Sequence, residues 1–240
     1  MTGRLYGIGV GPGDPELLTL KGARILDQVD VVAYFAKRGR AGNARTTIAA
    51  RLRPDVIELP MHYPVTTELP RHSSEYEHLL REFYATHEAA IAAHLRAGRD
   101  VAVISEGDPL FYGSYMHLHI RLAPHFGAEV IPGVSSMAAS WSAAGLPIAQ
   151  GDDVLLIVPD TLPETELARR FGSAEAVVVM KVGRNLPSIR RALEHAGKLE
   201  TAWYVERASM GQQRMMRLTE HDGSEAPYFS IVLVPGWAAS

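Results

Sequence analysis

The sequence predicts a two-domain α/β protein, with a mostly parallel N-terminal sheet, a mixed C-terminal sheet and a ligand cleft between them. Three observations carry that expectation. Short apolar runs alternate with helical patterns through the first two thirds of the chain, as in a parallel sheet with crossover helices. A second unit begins near Gly145 to Asp153. The last three apolar runs have no helices between them, so they are expected to pair antiparallel. The expected domains are therefore 1–144 and 145–240.

In chain order, residues 5–10 (LYGIGV) read as a buried strand and 11–15 as a break. Residues 17–26 read as a short helix, and 29–34, 56–59, 101–105 and 129–131 as four further strands. The longest helix is expected over 74–97, because Leu80, Phe83, Tyr84, His87, Ile91 and Leu95 recur at spacings of three and four. Gly98 ends it. Residues 60–71, with Pro60, Pro64 and Pro70, read as a long structured loop. In the second unit, 154–158 and 176–180 read as strands and 164–171 as a helix. A helix over 187–196 opens on Pro187. Residues 201–205, 213–218 and 228–234 complete the strands. There is no internal repeat and no low-complexity segment.

Composition narrows the chemistry. The 240 residues include no cysteine, which excludes disulfides, thiolate catalysis, iron–sulfur clusters and zinc–cysteine sites. A formal net charge of -3 argues against a bulk-charge grip on nucleic acid. The N-terminus MTGRLYGIGV lacks the basic and apolar regions of a signal peptide. No run reaches the roughly 18 apolar residues of a membrane span. The expectation is a cytoplasmic protein with neither membrane nor nucleic acid as partner. The histidines do not suggest a metal: His87-Glu88-Ala89-Ala90-Ile91 lacks the second histidine of HExxH. His117 and His119, two apart, point to different helix faces. Met137, Trp141 and Trp203 read as core.

Three segments at expected strand ends could carry a site. Gly7-Ile-Gly9-Val-Gly11-Pro12-Gly13-Asp14-Pro15 allows close backbone approach. It fails the dinucleotide fingerprint, which needs a glycine where Pro12 or Asp14 stands, and it lacks the GK[ST] of a P-loop. Alone, its alternative reading is a tight strand-to-helix turn. Ser105-Glu106-Gly107-Asp108-Pro109-Leu110-Phe111 sets acceptors beyond a buried strand, where open parallel sheets bind ligands; Asp108 is alternatively an N-cap. In Pro132-Gly133-Val134-Ser135-Ser136, Ser135 or Ser136 either caps a helix or bonds a ligand. All three are expected to converge on one crevice.

Taken together, GVGPGDPELLTLKG, SEGDPLFYGSY and VIPGVSS resemble the signature blocks of the tetrapyrrole methylase family. VVVMKVGRNLPSIRRAL and WYVERASMGQQRM extend the resemblance over nearly the whole chain. The spellings EGDPLFYGSYMHLH, MKVGRNLP and YVERASM are most similar to members of the vitamin B12 (cobalamin) branch that methylate carbon 20 of a reduced ring. The resemblance implies S-adenosylmethionine bound between two α/β domains, a tetrapyrrole substrate and a homodimer. It assigns the methyl-donor site to Pro12, Glu106, Gly107, Asp108, Phe111, Ser135 and Ser136, and to Val182 and Ala208 from the second domain. Glu106 is a departure, since many relatives have glycine there. A second departure is Phe35 after Tyr34, where relatives that methylate uroporphyrinogen often carry an acid.

The segment 37–53 holds Lys37, Arg38, Arg40, Arg45, Arg51 and Arg53 and no acid. Reduced tetrapyrroles carry a fringe of carboxylates, which arginine grips bidentately. Arg38, Arg40 and Arg45 are thus substrate-binding candidates, the alternative being a solvated loop and helix face. No catalytic residue is assigned. Other readings are a cobalt-loaded substrate, another ring carbon, a protein side-chain acceptor, a dehydrogenase and a non-catalytic tetrapyrrole carrier.

Overall fold

The computed structural model describes residues 1–65 and 73–237. The chain forms two compact units, Met1–Ser135 and Ser136–Ser240.

The first unit is a parallel sheet of β1 (Leu5–Gly9), β2 (Val31–Ala36), β3 (Ile57–His62), β4 (Val101–Ser105) and β5 (Ala128–Ile131). Their order is β3-β2-β4-β1-β5, so the chain reverses direction across the sheet beside β1. Helices α1 (Leu20–Leu26) and α2 (Asn43–Thr47) cover one face, and α3 (Ser74–Arg96) and α4 (Tyr115–Leu122) the other. Strand alternation divides the core accordingly. Val101 and Val103 pack toward α3 and α4, and Ala102 and Ile104 toward α1 and α2. Burial on both faces explains why β4 reads as an unbroken apolar run.

Local chemistry sets the helix ends. Thr19 accepts the Gly22 N–H at 3.1 Å and starts α1 there. The helix expected from residue 17 is therefore split: Pro15–Leu17 form a 3-10 turn capped by Asp14, and Leu18 and Thr19 are extended. Ser73 caps α3, and Gly98 follows it at φ 78°. In α3, Phe83, Tyr84, Ile91, Ala92 and Leu95 are buried, each large apolar side chain contributing about 1.5–3 kcal/mol.

The expected loop over 60–71 is corrected at its start. β3 continues through Pro60 to His62. It is an edge strand, paired among the described residues with β2 alone, and proline is tolerated where no ladder donor is needed. Residues 66–71 of that stretch lie outside the described residues.

The second unit opens with α5 (Ser136–Ala143), which packs on its last strand, β10 (Ser230–Val234). The structural division thus falls before α5 rather than at 144/145. Next come β6 (Leu155–Pro159), α6 (Glu164–Phe171), β7 (Ala176–Met180), α7 (Leu186–His195), β8 (Trp203–Glu206) and β9 (Arg214–Arg217). The sheet order is β6-β7-β10-β8-β9, parallel between β6 and β7 and antiparallel elsewhere. Leu167, Phe171, Ile189 and Leu193 of α6 and α7 bury against Val177, Val179, Tyr204 and Val232. Trp203 is only half-buried, with the Arg217 guanidinium over its ring at 4.3 Å. Trp141 and Met137 are likewise half-buried rather than core.

Candidate active site

Three strand ends of the first sheet meet in backbone contact. β1 and β4 lie side by side with Gly9 opposite Ser105. Beyond them, the Val10 N–H donates to the Ser105 carbonyl at 2.9 Å and the Gly107 N–H to the Gly11 carbonyl at 2.8 Å. The Gly133 N–H, past β5, donates to Asp108 Oδ2 at 3.2 Å. Two glycines are obligatory for this approach. A Cβ on Gly9 would stand 2.4 Å from the Gly107 oxygen and 2.6 Å from Gly133 Cα, and one on Gly133 would stand 2.1 Å from the Gly107 oxygen. The convergence expected of the three segments is present, and only bare backbone permits it.

The surroundings of this junction suit a polar ligand. Pro12 and Gly107 are buried, and Asp108, Phe111, Ser135 and Ser136 are half-buried. Asp108 uses one carboxylate oxygen on Gly133 and the other on the Leu110 N–H at 2.9 Å, so it shapes its own turn and ties it to the next. Ser105 opens the second candidate segment but was given no role of its own by sequence reasoning. It is 6% exposed, and its Oγ has no hydrogen-bond partner among the described residues. A buried orphan hydroxyl beside a backbone cradle is the place where a bound molecule would complete the hydrogen bonding.

Glu106, which the resemblance assigned to the methyl donor, is set beside the start of α2. Burial pushes its carboxyl pKa up, while hydrogen bonds from the Asn43 side chain and the Ala44 N–H act in the opposite direction. The residue surface is nonetheless exposed, and water reaching the carboxylate tempers that rise. Asn43 and Ala44 open α2, so Glu106 faces the segment that carries the basic residues.

Within that segment the arginines divide. Arg45 makes a two-pronged pair with Glu58 of β3, at 3.0 and 2.9 Å. The Arg45 guanidinium holds the Glu58 carboxyl below its usual range, and the phenol of Tyr34, raised by burial, adjoins the pair. Arg51 pairs with Asp27, and Arg53 with Asp55 and the carbonyls of Asp27 and Val29. Lys37, Arg38 and Arg40 are exposed and have no ion pair among the described residues. Arg45 differs from these three. Its fork already holds an internal carboxylate, because β3 brings Glu58 beside α2, a pairing with no local sequence signal.

In the second unit, β7 and β8 flank β10 and run the same way, with Met180 and Val205 both opposite Ile231. Val182 and Ala208 follow these two strands and are buried. Each is preceded by a non-glycine residue in the left-handed region, Lys181 at φ 61° and Arg207 at φ 50°, and Ser209 follows at φ 65°. Such conformations cost about 1–3 kcal/mol each and gather at functional sites. Behind them, Glu206 is buried and accepts from the Tyr204 hydroxyl at 2.9 Å and from Arg207 at 2.7 Å.

The histidines of α4 do diverge. His117 meets the Tyr84 ring at 4.5 Å, and His119 Nδ1 lies 3.1 Å from the Tyr115 hydroxyl. Among the described residues no helix is long and apolar enough to cross a membrane.

Comparison with known proteins follows the same lines. Residues 4–222 match the family described as Tetrapyrrole (Corrin/Porphyrin) Methylases. A Sinorhizobium protein named precorrin-2 C(20)-methyltransferase is 59% identical over 235 residues, 98% of this chain and 96% of the relative. A Salmonella typhimurium protein named cobalt-precorrin-2 C(20)-methyltransferase is 32% identical, with 98% and 97% covered. Among solved structures, uroporphyrin-III C-methyl transferase from Thermus thermophilus complexed with S-adenyl homocysteine superposes with a TM-score of 0.67. It is 26% identical, and 98% of each chain is covered.

Proposed function

The chain belongs to the tetrapyrrole methylase family, and from that premise we propose that it transfers a methyl group from S-adenosylmethionine to carbon 20 of precorrin-2, giving precorrin-3A in vitamin B12 biosynthesis. The carrying observation is 59% identity along nearly the full length of a relative of that name. The junction of the three turns supports a methyl-donor site in the first unit, since its orphan Ser105 hydroxyl and glycine-only cradle fit a polar ligand.

The donor supplies an electrophilic methyl on a sulfonium. Pro12, Gly107, Asp108, Phe111, Ser135 and Ser136 are the positions we assign to holding it, with Glu106 at their margin and Val182 and Ala208 from the second unit. Orientation by such a rigid cradle can contribute roughly 7–11 kcal/mol to lowering the barrier. Exclusion of water by Pro12 and Phe111 strengthens each polar contact made there. Arg38 and Arg40, with Lys37 beside them, are the cations we assign to the substrate carboxylates.

The metal-free ring is preferred over its cobalt complex because identity falls from 59% to 32% between the two relatives. We further propose a cytoplasmic homodimer that needs no metal. The test is incubation with precorrin-2 and methyl-labelled S-adenosylmethionine. The expected product carries one new methyl, at carbon 20. Methylation elsewhere on the ring refutes the position, faster turnover of cobalt-precorrin-2 refutes the metal-free preference, and ring binding without transfer makes the protein a carrier.

A further inference from the structure

Ser114 occupies the N-cap of α4, yet its side chain makes no capping hydrogen bond. Serine at that position ordinarily accepts an N–H from the first turn. Here its hydroxyl is hydrogen-bonded to that of Tyr63, 51 residues earlier in the chain. Tyr63 directly follows β3, at the same end of the sheet as the three converging turns. Its ring is stacked with Phe35, at 5.6 Å and 19°, and with Phe83, at 5.0 Å and 24°, in a three-ring cluster whose two phenylalanines lie 6.3 Å apart. Packing therefore sets the direction of its hydroxyl. Tyr84 is buried beside them, its ring edge-on to Phe83 at 5.2 Å.

Ser114 is also the last residue of the irregular loop 107–114. At its start, the Gly107 N–H is held by the Gly11 carbonyl, and Asp108 holds Gly133. Between the two ends lie Phe111 and Tyr112, the latter left-handed at φ 52°. At its far end the loop runs into α4, where the Met116 and His117 N–H groups donate to the Gly113 and Ser114 carbonyls. The Tyr63 hydroxyl adds a side-chain tie to that end from another strand, and it uses the serine that would otherwise cap the helix.

We propose that Tyr63 and Ser114 form a clasp that fixes loop 107–114 for methyl transfer, each a positioning residue. This rests on the function proposed above, because the loop carries Gly107, Asp108 and Phe111 of the donor site. It goes beyond that function in assigning the loop's placement to a tyrosine on another strand.

The test compares Tyr63→Phe, which keeps the stacked ring, with Ser114→Ala, the double variant and Ser114→Thr. Each single loss is expected to lower kcat/KM for methyl transfer to precorrin-2 by about three- to tenfold, the worth of one hydrogen bond. The double variant should fall no further than either single one, because both remove the same contact. Amide exchange across 107–114 should quicken alike in all three, and Ser114→Thr should restore both readouts. Multiplying effects in the double variant would overturn the clasp, as would unchanged exchange across the loop. So would a lowered melting temperature in Ser114→Ala with Tyr63→Phe unaffected, the pattern of a plain helix cap. If the unaltered protein leaves precorrin-2 unmethylated, the proposed function fails, while exchange across the loop still decides the clasp.

Discussion

A single methyl group at Gly9 should disable the protein, and the structure says by how much. In Gly9→Ala the new Cβ would stand 2.4 Å from the Gly107 oxygen and 2.6 Å from both the nitrogen and Cα of Gly133. All are backbone atoms, so no side chain can swing aside. Reaching van der Waals distance requires the turns after β4 and β5 to retreat by about 1 Å, against a Gly107–Gly11 hydrogen bond of 2.8 Å. Overpacking of this kind costs about 1–3 kcal/mol, which at roughly 2–4 °C per kcal/mol is a fall in melting temperature of about 2–12 °C. The functional loss should be larger, because a displacement of about 1 Å in positioning groups can cost on the order of a hundredfold in rate. The assay is calorimetric titration with S-adenosylhomocysteine, paired with turnover of precorrin-2 and thermal unfolding. Gly127→Ala is the control, since its Cβ would meet only Arg4 Cγ, at 4.0 Å, and it should behave as the parent. If Gly9→Ala binds S-adenosylhomocysteine and turns over like the parent, the contact of the three turns is not what builds the site.

Other expectations concern charge and burial. Arg38→Ala and Arg40→Ala should each raise KM for precorrin-2 by about three- to tenfold with little change in unfolding. Arg45→Ala, losing its fork to Glu58, should act chiefly on stability, and steady-state kinetics beside denaturant melts separate the two. Tyr204→Phe should cost about 1–3 kcal/mol in chemical denaturation, because it strips Glu206 and Ser230 of a buried partner; a change below half a kcal/mol would contradict the network. The pKa of that phenol is pushed up to about 12, by burial first. His221, packed 4.4 Å from the Tyr204 ring, has its pKa lowered, by burial first and by the Arg190 and Arg214 charges, while Asp222 and Glu206 pull it the other way. Its unfolded form takes up a proton near pH 6.5, before the folded form does, so its contribution to stability is complete above that pH and declines as pH falls below it. In His221→Asn that part of the acid limb should flatten when melting is followed from pH 8 to 5.

Element after element was legible because the signal is local. Residues 101–105, 164–171 and 176–180 match their strands and helix to the residue, since each is an apolar or amphipathic run with clear breaks at its ends. The errors arose where a distant partner outweighed a local cue. Pro60 reads as a loop former, but on the free edge of β3 its missing N–H harms no ladder. Residues 136–143 follow the first domain in sequence, but their helix packs on β10, about ninety residues later. Leu17 continues an apolar pattern, but the Thr19 cap moves the start of α1 beyond it.

The site divides in the same way. By itself the sequence determined the family, the glycine, acidic and serine turns, and their place at strand ends, because motif chemistry and strand alternation are properties of neighbouring residues. Only the tertiary structure decided that Gly9, Gly107 and Gly133 touch, that Arg45 pairs with Glu58, that the Ser105 hydroxyl has no hydrogen-bond partner among the described residues and that Ser114 turns from its helix to Tyr63. Those facts depend on which strands lie side by side. Strand order is settled by the joint burial of both sheet faces, a free energy summed over the whole unit that no short segment encodes.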